Sequence, residues 1–450
     1  PYPQETLHTL WTTLLRNQFH DILPGSAIHE VYADAEKEFS QLFATIAQLH
    51  RDLDAQVTTT AAGQSLVRNS LPWSTTQLIG GQEVTVPALS TISLPAAQPA
   101  AAPAMAVIDG RTVHTPFYDL TYAAAGALTK LWDKRTQRDV LADAGGNILT
   151  LYEDRPLQYD NWNIDADYPD KASVLQADQV AVTANTPLYT DITSQYAFGQ
   201  STMTQVIRLY AHNPRIDFRT TVDWHEHQRL LRVAFNTPIL AASARYDIQY
   251  GNVTRATDDN TSWDQAKFET VAHEWVDLAQ RDYGVALLND SKYGHRIKGS
   301  QISLSLLKSG NYPDTTADEG IQTFTYALLP HTGDFLTGQV PQAAAELNEP
   351  LRCTADRTAE TLTPLFTVTG DYPAALDAVK ISEDGTALIV RVHDYSGTDN
   401  RLSLTPRFAA KTAQTAALDE HVTDATELLA AGQVTLTLHP YEIRTIRFTW

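Results

Sequence analysis

The sequence predicts a mainly β protein with a short α-helical segment at its N-terminus. Three observations lead there. Apolar residues recur with helical period over residues 4–53. That period vanishes after residue 57. Beyond it come short runs rich in Val, Ile, Thr and Tyr, set between turn residues, the pattern of strands.

Leu7, Leu10, Trp11, Leu14, Leu15 and Phe19 follow the i, i+3, i+4, i+7 pattern and predict a helix over residues 4–19. Pro24 and Gly25 stop it, because Pro cannot continue a helix and Gly accepts a positive φ. Ser26 offers an N-cap to a second helix, with Ile28, Val31, Ala35, Phe39, Leu42, Ile46, Leu49 and Leu53 on one face. Two helices joined by a short loop form an antiparallel pair. A pair alone buries little, so a third helix or another domain is needed. Residues 57–65 (VTTTAAGQS) read as a linker. LVRNSLPW, QLIGGQEVTVPAL and STISL read as strands, and AAQPAAAPA (96–104) as a low-complexity connector. QVIRLYA, IDFRTTVDW, ISLSLLK and QTFTYALL belong to a large β region, PQAAAEL (341–347) marks a seam, and ALIVRVHDY, LSLTPRF and VTLTLHPYEIRTIRFTW close the chain. The division is 1–57 partial helix bundle, 58–104 small β domain and linker, 105–345 large β-sandwich and 346–450 C-terminal β domain.

The 450 residues carry 33 basic against 53 acidic side chains, a net charge of −20. Such a surface repels nucleic acid and anionic membranes and suits a neutral or cationic ligand. No stretch is long and apolar enough to span a bilayer. One cysteine, Cys353, excludes an internal disulfide and fits a reducing, cytoplasmic setting; it reads as structural. On that reading the sequons at Asn252 and Asn260 carry no meaning. No signal peptide precedes Pro1, and the chain reads as the remainder of something longer.

The motif NQFHDILPGS (17–26) ends the first helix. With Leu7 at 0°, the apolar stripe centres at about 30° and His20 falls at about 220°, away from it. On spacing alone His20 is a helix-terminal surface histidine, favoured by the C-terminal dipole. The sharper reading is a ligand or catalytic group presented to another domain. Three more clusters carry chemistry. YEDRPLQYDNWNIDADYPD (152–170) sets Asp154, Asp160, Asp165 and Asp167 among three tyrosines and Trp162, either a solvated acidic loop or a sugar-lining one. WHEH (224–227) puts His225 and His227 on one face of a strand, a packed surface or half a metal site. NDSKYGHR (289–296) is either a turn held by Asn and Asp side chains or a secondary sugar contact.

RNQFHDILPGSAIHEVYADA resembles a segment of the α-mannosidases of glycoside hydrolase family 38. LWDKRTQRDVL, LYEDRPLQYDNWNIDADY, RIDFRTTVDWHEHQRLLRVAF, NTSWDQAKFETVAHEWVDLA, YGVALLNDSKYGHRIKG and FTYALLPH resemble that family's C-terminal β region, in the same order. The resemblance implies a galactose-mutarotase-like supersandwich behind part of a three-helix bundle. It implies that His20 is a zinc ligand and that Asp21 contacts a hydroxyl of bound mannose, with Trp162 and Asp165 lining the substrate. The implied reaction is retaining hydrolysis of α-linked mannose in oligosaccharides, by a carboxylate nucleophile and a carboxylic acid. In the family the nucleophile and the other zinc ligands lie in an N-terminal barrel, so no catalytic residue is expected in this chain, and taken alone it is expected to be inactive. The partners implied are that barrel, a mannose-containing oligosaccharide and a second copy of the protein; nucleic acid and membrane are not. Against this stands a non-catalytic class, a carbohydrate-binding or scaffolding piece. A third class, a truncated product that only folds, would expose an apolar patch on the first two helices.

Overall fold

The computed structural model describes residues 2–95, 103–359 and 364–450; most of the connector expected at 96–104 lies outside them. The fold is mainly β sheet behind a short helical N-terminus. Four helices occur among the described residues: α1 (Gln4–Asn17), α2 (His29–Val57), α3 (Ser262–Ala266) and α4 (Val340–Asn348).

Helix α1 ends two residues earlier than its apolar period suggests. Asn17 turns its amide onto the carbonyl of Thr13 at 2.9 Å and onto Glu38 of α2 at 2.8 Å. Successive turns then carry residues 18–25, with Gly25 at φ 78°. His20 therefore leaves helical phase, and its angle on the wheel loses meaning. Nor does Ser26 cap α2: its hydroxyl donates to the carbonyl of Asp21, and the helix starts behind Ile28 without a side-chain cap. The apolar stripes of α1 and α2 meet only partly. Leu7, Leu10, Leu14, Leu42 and Ile46 line an open groove of about 700 Å³, and Trp11 beside it is 59% exposed.

Residues 57–65 are not a linker. The strand Thr59–Arg68 forms the middle of a three-stranded sheet, between Thr91–Pro95 and Arg352–Thr358. The last of these, read from sequence as the start of the C-terminal domain, pairs with the small N-terminal one instead. The end of α2 is fastened to this sheet: buried Asp54 pairs with Arg68 and accepts from Thr354 Oγ1 at 3.2 Å. Cys353, expected to be structural, is exposed on the third strand.

The large sandwich faces a nine-stranded antiparallel sheet with a six-stranded one, and a five-stranded sheet (residues 107–139) closes the same core. In Ile216–Trp224, residues Phe218, Thr220, Val222 and Trp224 turn inward while Arg219, Thr221 and Asp223 face solvent, the two-residue period of a half-buried strand. Phe218 stacks on Tyr326 at 4.9 Å and meets Phe235 of the opposite sheet edge-on at 5.4 Å. Tyr283–Asn289 is buried on both faces because α4 covers the outer one, through Val340 and Ala344. The seam expected at 341–347 is thus a packed helix. A four-stranded and a five-stranded sheet enclose a separate core in residues 366–449.

Candidate functional site

Four sequence clusters far apart in the chain converge on one end of the large sandwich. His20 and Asp21 sit at the tip of the α1–α2 hairpin, 69% and 52% exposed, with Nε2 and Oδ2 3.6 Å apart. Phe19 lies against the imidazole, ring centroids 4.2 Å apart. Tyr32, one turn into α2, accepts from the amide of Ala27 at 2.8 Å and so shapes the tip. Burial raises its hydroxyl pKa, and Asp318, Asp314 and Asp21 add to the rise. The foot of the tip meets the loop 310–319, where Thr316 Oγ1 lies 3.3 Å from His29 Nδ1. His29 Nδ1 also stands 3.3 Å from Asp314 Oδ2.

The loop 310–319 is in turn tied to the other clusters. His227 Nε2 lies 3.2 Å from Glu319. Ser309 donates to the carbonyl of Glu226 at 2.6 Å, and the amide of Asp154 donates to the carbonyl of Gln228 at 2.9 Å. Lys308 pairs with Asp154 at 2.7 Å and donates to the carbonyl of Asp160 at 2.7 Å. Burial raises the carboxyl pKa of Asp154 against the pull of Lys308, and that of Asp318 against Lys292 and Lys308. Lys292 is lowered by burial and lies 4.6 Å over the ring of Phe324. The rim is thus a belt of carboxylates with Lys308 paired into it and Lys292 seated over Phe324.

Each sequence-predicted residue has a definite place on it. Trp162 is 53% exposed, beside the still more exposed Leu157 and Tyr159, in a turn closed by its amide on the carbonyl of Tyr159 at 2.8 Å. Such a loop offers aromatic faces to solvent. Asp165 is turned onto its own loop, accepting from the amide of Leu157 at 2.8 Å and from Asn163 at 3.1 Å. Asp154 is fully buried and cannot meet a ligand. His225 and His227 do not share a ligand: the strand stops at Trp224, and His225 pairs with Asp223 at 2.8 Å. Asn289 accepts from the amides of Ser291 and Lys292, so the turn reading of that cluster holds. Sequence reasoning missed His29, Lys308, Asp314, Asp318 and Glu319. For Asp314, Asp318 and Glu319 the signal was SGNYPDTTADEG, a polar turn-rich stretch at a strand end.

Zinc needs three or four protein ligands. Among the described residues no group of three or more His, Cys, Asp or Glu is gathered to hold a metal ion. At the tip the described residues offer one imidazole with one carboxylate beside it, fewer ligands than a zinc ion takes.

Three family models match the chain in order: the alpha mannosidase middle domain over residues 1–56, the glycosyl hydrolases family 38 C-terminal domain over 113–316, and the family 38 C-terminal beta sandwich domain over 374–446. The chain belongs to glycoside hydrolase family 38. It is similar to human alpha-mannosidase 2C1, 34% identical over 88% of this chain and 41% of that protein. It is also similar to alpha-mannosidase G of Dictyostelium discoideum, 28% identical over 99% of this chain and 48% of that protein. The family 38 chain therefore spans less than half the length of these relatives. The crystal structure of an alpha-mannosidase from Enterococcus faecalis shares the fold, with a TM-score of 0.82 at 16% identity, over all of this chain and 64% of that one.

Proposed function

We propose that this family 38 chain is the C-terminal part of a zinc-dependent retaining α-mannosidase that releases α-linked mannose from oligosaccharides. The observation that carries the reading is the convergence of the His20–Asp21 tip with the carboxylate- and aromatic-bearing loops at one end of the sandwich. His20 would give an imidazole nitrogen to a zinc ion whose other ligands would come from an N-terminal barrel of the same protein. Zinc, when bound, polarises the sugar hydroxyls it grips. Asp21 accepts a hydrogen bond from a mannose hydroxyl, and the face of Trp162 stacks on sugar C–H groups. Asp165 acts on the sugar through the loop it holds, keeping Trp162 at the rim. Nucleophile and acid come from the barrel, so the chain alone does not turn over. The barrel and the remainder of the bundle cover the apolar groove of α1 and α2. The reading includes a supersandwich for residues 105–345, the four-domain division with Arg352–Thr358 joined to the small β unit, a cytoplasmic setting and self-association.

The test is hydrolysis of an aryl α-mannoside with zinc present. The chain alone should be inactive, and activity should return when the barrel half is supplied with wild-type His20 but not with His20→Ala. Sustained, chelator-sensitive turnover by the isolated chain would overturn the reading.

A further inference from the structure

Where the three β units meet, a cleft of about 390 Å³ opens to solvent. Its walls are residues 70–73 of the small unit, 247–251 and 273–275 of the large sandwich, the end of α4, and residues 375–377 and 393–395 of the C-terminal sandwich. The walls are fastened to one another. Asn252 Nδ2 donates to the carbonyl of Tyr395 at 3.0 Å and its Oδ1 accepts from Tyr441 at 3.3 Å, while Ser70 donates to Glu349 at 3.1 Å. Domain junctions are common places for ligand clefts.

The lining is acidic and aromatic at once. Asp247, Glu274, Glu349 and Asp377 line the cleft, and no lysine or arginine is among its lining residues. Tyr250 projects from the turn between Ser243–Ile248 and Gly251–Ala256, at φ 55°, with its ring perpendicular to that of His393 at 5.2 Å. His393 is itself fixed by Asp377 at 2.8 Å. Tyr395 also lines the cleft; it is 7% exposed and its buried hydroxyl has no hydrogen-bond partner among the described residues. A buried hydroxyl left unpaired is costly, so this one calls for a partner from outside the chain.

The ligand chemistry follows from the charge. Among the described residues these carboxyl groups are not gathered in metal-binding geometry. Burial pushes Asp247 up to about 7 and raises Glu274 as well, with Glu349 adding to the latter. Asp247 is thus partly protonated near neutrality, and its part of the wall is a poor cradle for a cation. It is a good one for a polyol, which can donate to a carboxylate and accept from a carboxylic acid. We propose that this cleft binds a neutral sugar unit, stacked on Tyr250 and hydrogen-bonded by Asp247, Glu274 and Tyr395. The site is distinct from the rim: the turn 289–293 stands between them, with Asn289 bonded to the carbonyl of His273 on the cleft side at 2.8 Å. It requires neither zinc nor hydrolysis, so its failure and that of the hydrolytic reading are separable.

Saturation-transfer NMR on the whole chain tests this, with a mannobiose as probe and spermidine as a cationic comparator. The wild type should give transfer from the mannobiose. Tyr250→Asn, which tolerates the left-handed backbone, and Glu274→Ala should each weaken binding about tenfold, the size of one hydrogen bond to a charged group or one stacked ring. Tyr395→Phe removes a single oxygen, leaves the fold intact by circular dichroism, and should weaken binding in the same direction. Absence of transfer, transfer that survives all three variants, loss only with Trp162→Ala at the rim, or displacement of the sugar by spermidine would each overturn the proposal.

Discussion

The helical hairpin and the large sandwich solve the same problem with opposite success. Trp11, Leu15 and Phe43 of the hairpin remain more than half exposed, and their neighbours line an open groove. In the sandwich Phe218, Phe235 and Tyr326 interlock with no exposure at all. Both regions are amphipathic. The difference is geometric: a sheet meets a second sheet within this chain, whereas two helices present a stripe that they cannot close between them. Stability in this molecule therefore resides in the β units, and the hairpin is held at its ends, by Asp54 at one and the 310–319 loop at the other.

The sharpest way to break that contrast is to truncate one aromatic in each region. Phe218→Ala should cost about 3–5 kcal/mol, measured by native-state amide exchange in Ile216–Trp224. An effect below about 1 kcal/mol would mean that the two sheets are not tightly packed. Next comes pH. His295 is fully buried and burial lowers its pKa from 6.5 to about 4. Between those values the unfolded chain binds a proton that the folded one does not, so stability falls as pH drops from 6.5 toward 4. His295→Gln should flatten that loss by on the order of 3 kcal/mol, read from unfolding curves at the two ends of the window.

Asp247 acts in the opposite sense. Its folded pKa is about 7 against an ordinary 3.8, so it removes stability as pH rises through that interval. Asp247→Asn should make the protein relatively more stable at pH 8 than at pH 5, by only about 1 kcal/mol because its cleft is open to screening water. The smallest effect is expected on the hairpin: Trp11→Ala should change stability by less than about 0.5 kcal/mol in the isolated chain. A larger loss in melting experiments would show that the groove is already closed against something.

Strand alternation in Ile216–Trp224 and the unbroken apolar run of Tyr283–Asn289 were legible because burial repeats there with a local period. Thr59–Arg68 was not. TTAAGQS has weak strand propensity and a glycine at its middle, and becomes a strand only because partners arrive on both sides. His20 and Asp21 could be singled out as a pair, but their position could not be derived from a helical wheel, because Asn17 ends the helix with side-chain bonds that periodicity does not register. The rim joins residues 20, 162, 227, 292 and 318 through pairings set by sheet topology, and no local window contains that information.

The small sheet has a consequence in time. Its outer strand lies 300 residues downstream of Asp54, the group it helps to hold. At synthesis rates of about 5–20 residues per second, the hairpin leaves the ribosome roughly 15–60 seconds before Thr354 and the outer strand follow it. During that interval Asp54 has Arg68 as its partner and lacks the hydroxyl of Thr354. A stop codon placed before residue 352 would release a polypeptide whose small sheet lacks its third strand and whose Asp54 keeps Arg68 but not Thr354.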